Sequence, residues 1–233
     1  MSSATPLRRL AAVDADALRT RSRADFVFES LRDAISDGRI AAGERVREEE
    51  IARDLGVSRT PVREALQRLQ QRGLLAFGAG RGLVVAGLGQ HQVLQLYAMR
   101  EILEGSAARF AAQHANETDI AILYRLQKEL ADAAEDAAVL VMLNRRFHQA
   151  MYEAAHNQYL LQTLNMLHDS LALLHNTTFR MPNRRSDSDE EHHRIVVAIE
   201  RRDPGGAEEA AREHIRQAQR TRFEGGAETR HHF

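Results

Sequence analysis

The sequence contains no cysteine among its 233 residues. This absence excludes disulfide bonds and thiolate metal sites, so any metal must be bound by histidine and by carboxylate or amide oxygen. No run of about 18 apolar residues is present, which argues against a membrane-spanning helix. The N-terminus lacks the basic-then-apolar pattern of a secretion signal. We therefore expect a cytoplasmic protein.

The composition is that of a folded protein with unevenly distributed charge. Hydrophobic residues make up 43% and charged residues 28%, which favours a packed core over disorder. The net charge of −1 argues at first against a nucleic-acid partner. Residues 1–88, however, contain 15 arginines and 12 acidic residues (+3), whereas residues 89–233 contain 17 basic and 21 acidic residues (−4). A basic first third beside an acidic remainder is typical of one DNA-binding domain joined to another domain.

The first third of the chain predicts a basic arm followed by a small domain. Residues 1–22 contain four arginines and no closing element, so we expect a flexible arm. Residues 23–88 predict three helices and a β-hairpin, because apolar residues recur at helical spacing and glycines separate the segments. The helices are expected at about 23–37, 47–55 and 59–72, and the strands at 74–77 and 83–85.

The start of the third predicted helix carries side chains suited to DNA. Recognition helices contact base edges from their first turns, and Arg59 and Arg63 project from one face there because they are four residues apart. Arginine can donate two hydrogen bonds to guanine. Ser58 and Thr60 can donate to phosphate beside the free N–H groups of the helix start. The alternative is a solvated pair of surface arginines without a DNA contact.

The predicted hairpin turn places one arginine at its tip. Arg81 lies between Gly80 and Gly82, and the lack of bulky neighbours suits insertion into a narrow minor groove. Three helices followed by a hairpin, with a short Gly56-Val57-Ser58 turn before the third helix, is the order of a winged helix-turn-helix domain.

The segment Gly56–Leu66 (GVSRTPVREAL) resembles the winged-helix domain of GntR-family regulators, and the likeness spans about residues 23–86. Some members carry a DNA-contacting arginine in the second helix, where this chain has Glu48-Glu49-Glu50, so no DNA contact is predicted there. The resemblance implies that Arg59 and Arg63 contact bases, that Ser58 and Thr60 hold phosphates, and that Arg81 and Gly82 form the wing tip.

The rest of the chain predicts helices only. Residues 89–224 show long helical periodicity without strand-like alternation, which indicates an antiparallel helical bundle, and residues 225–233 are expected to be a disordered tail. The expected fold class is therefore mainly α, with an N-terminal winged helix-turn-helix, its small β-hairpin wing, and a C-terminal all-α bundle. The bundle helices are expected at about 91–114, 117–134, 137–155, 158–176, 187–201 and 204–223.

Histidines in the bundle are spaced for a metal site. Asn144 and His148 are four residues apart on one helix face, and His192 and His214 each lie eleven residues from the turn 203–206. If that turn joins antiparallel helices, the two imidazoles face each other about 16 Å from it. Two residues from one helix, together with one residue from each of these two antiparallel helices, can form a partial coordination shell with open positions.

The same residues resemble the FCD ligand-binding domain of the FadR subfamily, over residues 91–222. The likeness also includes Arg100-Glu101-Ile102-Leu103-Glu104. It implies a divalent metal, zinc or nickel, bound by Asn144, His148, His192 and His214, with a small carboxylate effector beside it. Many members have aspartate where this chain has Asn144, and the lost charge weakens binding of a cation. Arg100 could bind the effector carboxylate; the alternative is a bridge to Glu104 at i+4.

The expected function is that of a transcriptional repressor that binds a palindromic operator as a homodimer and responds to a metal-anchored carboxylate. A single winged helix covers only one half-site, which is why a dimer is expected. One alternative is a metal-dependent hydrolase, in which Glu190 or Glu191 would be the base. Another is an architectural DNA-binding protein with neither metal nor small ligand.

Overall fold

The computed structural model describes residues 22–36, 38–80, 82–134, 136–174, 178–181 and 183–228. They form two compact units, one from the described residues of 22–89 with 168–174 and the other from the described residues of 90–167 with 178–228. Apart from Ser22, the predicted basic arm lies outside the described residues.

Three helices and a hairpin make up most of the first unit. Each helix buries apolar side chains at three- and four-residue spacing, such as Val27 and Leu31 on the first and Val62 and Leu69 on the third, all at most 1% exposed. Every bound lies within one residue of the predicted one. The elements are α1 (Arg23–Ser36), α2 (Glu48–Leu55), α3 (Arg59–Gln71), β1 (Leu75–Gly78) and β2 (Gly82–Val85).

The hairpin is antiparallel, with Leu75 opposite Val85 and Gly78 opposite Gly82. A Cβ atom at Gly78 would lie 2.9 Å from a methyl carbon of Val84, so a side chain there would push the strands apart. Arg45 forms a further antiparallel bridge to Val84, which ties the segment before α2 to the wing.

Among the described residues, six α-helices and one short 3-10 helix (Thr178–Arg180) follow the hairpin. Local signals explain several of their ends: Asn116 and Asp119 form a reciprocal capping box, and Asp203 accepts from the N–H of Gly206 before Pro204 begins the last helix. The helices are α4 (Gln90–His114), α5 (Glu117–Asp132), α6 (Ala137–Ala154), α7 (Gln158–Leu171), α8 (Arg184–Glu200) and α9 (Pro204–Glu228).

Three of these helices differ from their predicted bounds by several residues. Helix α7 ends at Leu171 rather than near residue 176, and Ala172 and Leu173, which follow it, are buried in the core of the first unit. The N–H groups of residues 172–174 donate to carbonyls three residues earlier, so the last turn tightens and the α-helix ends there. Helix α8 begins at Arg184 rather than 187, and α9 continues through Glu228 into the segment predicted as a tail.

Helix α9 packs along α4 and α8 in the second unit, and small residues permit close approach. A Cβ atom at Gly105 would lie 2.9 Å from Arg212 Cγ, so α4 and α9 leave room only for a hydrogen there. Alanines line the same core, among them Ala107, Ala108, Ala111, Ala207 and Ala211.

The observed architecture confirms the predicted fold class, mainly α with a two-stranded wing. Among the described residues, no helix is both long enough and apolar enough to cross a bilayer.

Candidate functional site

The turn between α2 and α3 has the geometry that its sequence predicts. Gly56 adopts the left-handed conformation (φ 66°), and its N–H donates to the carbonyls of Ala52 and Arg53, which ends α2. Ser58 is extended at the N-cap position of α3, although its hydroxyl makes no capping bond. The hydroxyl therefore stays available at the helix start, beside backbone N–H groups that lack helical partners.

The predicted DNA-binding side chains lie on the outer face of α3. Ser58, Arg59, Thr60 and Arg63 are exposed, whereas Val62 is fully buried between them. This arrangement is the one expected of a helix that packs on one side and contacts a ligand on the other.

A carboxylate of α2 holds both arginines. Glu48 accepts hydrogen bonds from Arg63 Nε and Nη2 at 3.2 and 3.1 Å, and Arg59 Nη2 lies 3.6 Å from the same carboxylate. Glu49 lies 3.3 Å from Arg59 Nη1. The bond from Arg63 lowers the pKa of Glu48, so Glu48 stays charged at neutral pH. Helix α2 thus aligns the arginines, a role that the sequence did not predict for it.

A further arginine, Arg45, lies beside the wing. The guanidinium of Arg45 lies so close to Gly82 that a Cβ atom there would be 2.8 Å from its Nε. Arg81 lies outside the described residues, so its predicted groove contact stays a prediction. The sequence around Arg45 contains no motif that would identify it. Its position beside Gly82 depends on its backbone bridge to Val84, which is distant in the sequence.

The second unit brings three of the predicted metal ligands together. His148 on α6, His192 on α8 and His214 on α9 each offer a ring nitrogen within 4.8 Å of the others. All three are at most 3% exposed. The rings of His192 and His214 are 4.6 Å apart between centroids, as their equal distance from the α8–α9 turn predicts. The neighbouring His193 is exposed and lies outside the cluster.

Two carboxylates lie behind these histidines. Glu191 Oε2 is 2.6 Å from His214 Nδ1, and Glu104 Oε2 is 2.8 Å from His148 Nδ1, although the second contact is not aligned as a hydrogen bond. The Nε2 atoms of His148 and His214 are 3.2 Å apart. Carboxylates that contact the far nitrogen of a metal-binding histidine fix its tautomer and orientation.

Each carboxylate is in turn paired with a buried arginine. Arg100 Nε donates to Glu104 at 2.8 Å, which is the i+4 bridge considered from the sequence, and Arg184 Nη1 donates to both oxygens of Glu191 at 2.9 Å. Burial alone would raise the pKa of Glu104, but Arg100 and His148 hold it well below its usual range. The pKa of Glu191 is raised because burial outweighs Arg184.

His192 lacks any such partner. Neither of its ring nitrogens has a hydrogen-bond partner, although the residue is fully buried. Burial, together with the nearby His214 and His148, lowers its pKa well below the usual value, so it is neutral with a free lone pair. An unpaired buried imidazole is costly unless something else binds it. Asn144 lies one turn before His148 on α6 and is half-buried.

The sequence alone does not predict that arginine–carboxylate pairs lie behind the histidines. The sequence pattern assigns no role to Arg184, and it does not predict that Glu191 and Glu104 contact His214 and His148. The spacing of Arg184 and Glu191, seven residues on one helix, was the available signal.

Comparison with known families gives two matches that together span most of the chain. The model described as bacterial regulatory proteins, gntR family, matches residues 23–85, and the model described as FCD domain matches residues 95–217.

Individual proteins agree with these matches. The chain is 30% identical over 217 residues to the Glc operon transcriptional activator of Escherichia coli K12, covering 82% of this chain and 85% of that protein. It is 34% identical over 207 residues to the "Probable D-xylose utilization operon transcriptional repressor" of Paenarthrobacter nicotinovorans, covering 86% and 90%. The solved structure of E. coli McbR/YncC superposes with a TM-score of 0.79 at 25% identity, covering 88% of this chain and 99% of that one.

Proposed function

The chain belongs to the GntR family of bacterial regulatory proteins and carries an FCD domain, and from that premise we propose that it represses transcription from a palindromic operator, as a homodimer controlled by a metal-anchored carboxylate. Its DNA-binding and regulatory class follows from the family. The matched relatives are transcriptional regulators and not enzymes, so the hydrolase considered from the sequence is set aside.

Exposed side chains at the start of α3 support the assignment of base and phosphate contacts. Arg59 and Arg63 are the proposed base contacts, and Ser58 and Thr60 the proposed phosphate contacts. Arg81 and Gly82 are proposed to enter the adjacent minor groove. Because one recognition helix covers one half-site, a palindromic operator requires two copies.

The outer face of α4 supports the homodimer. Leu94, Met99 and Ile102 are 45–50% exposed, and they lie within about two turns of one helix whose other side is buried. Exposed apolar side chains grouped on the outer side of a helix favour contact with another protein surface. We assign this face to a second copy of the chain.

The buried histidine cluster is the observation that carries the metal proposal. His148, His192 and His214 supply ring-nitrogen ligands, two of them in contact with carboxylates, and His192 has no other partner. This donor set fits zinc or nickel, and Asn144 would add an amide oxygen. A bound metal would anchor an effector carboxylate. Arg100 is the proposed effector contact, through guanidinium nitrogens other than the Nε that Glu104 occupies.

Repression is proposed from one relative, whose name describes a repressor, whereas another is named as an activator. Coupling between effector and DNA in such a protein is typically about 1–3 kcal/mol.

One series of measurements tests the proposal. Duplex DNA is selected from a random pool with the full chain; we expect two-fold symmetric sequences and a complex containing two chains.

Zinc or nickel is then titrated into chelator-treated protein, and one ion per chain is expected. His192→Ala should abolish stoichiometric binding, whereas His193→Ala, which removes the exposed neighbour, should not. Asymmetric selected sites, or metal binding that is equal in both variants, would contradict the proposal.

A further inference from the structure

The extended segment before α2 pairs with the second strand of the wing and carries an exposed arginine. The N–H of Val46 donates to the carbonyl of Leu83, and the N–H of Val85 donates to that of Glu44, both at 2.9 Å. The backbone of Arg45, between these two bonds, is therefore held beside β2. Because Val46 is buried and side chains alternate along an extended chain, Arg45 lies on the opposite, exposed side.

The side chain of Arg45 runs along the outer face of the wing toward the hairpin turn. Leu83 and Val85 pack against the core, so Gly82 and Val84 lie on the outer face of β2. The backbone of Arg45 is opposite Val84, but its guanidinium is at Gly82, two residues nearer the turn. Two strand residues span about 6.6 Å, a distance that an extended arginine side chain covers.

The glycine at position 82 is explained by this contact and not by its backbone. Gly82 is not among the glycines with positive φ, so its conformation is open to other residues. A Cβ atom there, however, would lie 2.8 Å from Arg45 Nε and 3.0 Å from Nη2. Glycine in a strand often marks such a close approach. Gly82 therefore allows a positive charge to lie against the backbone beside the turn.

A guanidinium in this position is suited to a DNA phosphate. Arg81 and Gly82 are the residues proposed to enter the minor groove, which is about 6 Å wide. The two strands of a hairpin are about 4.8 Å apart, so the tip occupies most of that width. A side chain on the face of the wing then meets the edge of the groove, where the phosphates lie. Arginine binds phosphate oxygens strongly through its paired N–H groups.

We propose that Arg45 is a phosphate contact of the wing and that Gly82 keeps it in place. The proposal rests on the contact of the wing with DNA in the proposed function. It adds to the interface a residue that lies outside both α3 and the hairpin turn, in the segment before α2.

The salt dependence of DNA binding tests for a phosphate contact. Each contact adds about 0.9 to the slope of log K against log salt concentration. The affinity ratio of wild type to Arg45→Ala for a selected operator should therefore fall about 3.5-fold from about 50 to about 200 mM salt. Arg45→Lys, which keeps the charge, should retain the wild-type slope, as should Arg53→Ala, the control at an exposed arginine of α2. Fluorescence anisotropy with the full chain measures these slopes.

A double-mutant cycle tests the role of Gly82. The atoms that a Cβ would meet belong to the end of a flexible side chain, so Gly82→Ala should move the guanidinium and leave the hairpin folded. Gly82→Ala should weaken operator binding more in the wild type than in the Arg45→Ala background. An equal loss in the two backgrounds would show that Gly82 does not act through Arg45.

Two further results would overturn the phosphate contact. One is an unchanged salt slope in Arg45→Ala. The other is a loss confined to some selected sequences, since phosphate contacts carry no base preference. A lower melting temperature of both Arg45→Ala and Arg45→Lys, with wild-type salt slopes, would instead assign Arg45 to packing of the wing. If Arg63→Ala weakens binding and Arg45→Ala does not, the proposed function stands without this contact, whereas a wild type that binds no duplex DNA would overturn both.

Discussion

Arginine–carboxylate pairs occur in two contrasting settings in this protein. In the DNA-binding unit, Arg63 and Glu48 are 59% and 29% exposed, whereas in the FCD unit Arg100 and Glu104 are 9% and 2% exposed. Exposed pairs contribute little stability and can exchange one partner for another. Buried pairs are costly to separate, because each charge has lost its water. The same chemistry therefore gives a movable contact in one unit and a fixed framework in the other.

The contrast suits the two tasks. If Arg59 and Arg63 contact DNA as proposed, they must leave Glu48 for base or phosphate, and a weak surface pair would align them without holding them back. If the histidines bind a metal as proposed, they must be held in one orientation, and the buried Arg–Glu pairs would provide that rigidity.

Breaking a buried pair should have the largest effect. Glu104→Ala leaves Arg100 buried without its partner, and we expect the free energy of unfolding to fall by about 3–5 kcal/mol. Glu48→Ala, the exposed counterpart, should cost about 1 kcal/mol or less. Urea unfolding of both variants, without metal, measures the difference. Similar losses in the two variants would show that burial does not distinguish the pairs.

Removing an exposed arginine should act on DNA binding and not on folding. Arg63→Ala should weaken binding to a selected operator by about 1–3 kcal/mol, roughly 5- to 150-fold, with relaxed preference at one base position in each half-site. Arg53→Ala, at another exposed arginine of the same unit, is the control. Fluorescence anisotropy at several salt concentrations gives both affinities. If Arg63→Ala bound the operator as tightly as the wild type, Arg63 would make no contact that contributes to DNA binding, and the proposed role of α3 would be contradicted.

Acidification should have the smallest effect on stability, through the buried histidines His192 and His214. Burial lowers the pKa of His192 and of His214 below the usual 6.5, so the unfolded chain binds more protons than the folded one below that pH. Stability therefore falls as pH decreases, by about 1 kcal/mol in all between pH 7 and 6. Glu191, whose pKa is raised, acts in the opposite direction, but at lower pH.

Chelator-treated protein and urea unfolding at each pH measure this slope. His192→Leu should flatten it, whereas His193→Ala should not change it. An identical slope in His192→Leu would show that protonation of the cluster does not limit stability.

Sequence alone determined the elements and part of the site, because their signals are local. Gly56, Ser58 and Pro61 fix the α2–α3 turn within a few residues, and the distance of His192 and His214 from a hairpin turn predicts that they meet. Apolar spacing predicted each helix of the first unit to within one residue.

Only the tertiary structure decided which charges pair and where α7 ends. The contact of Glu48 with Arg63 joins residues 15 apart, and that of Glu191 with His214 joins residues 23 apart. Ala172, directly after the end of α7, is buried in the core of the first unit. Pairing and burial depend on how elements approach one another, which periodicity along one helix does not encode.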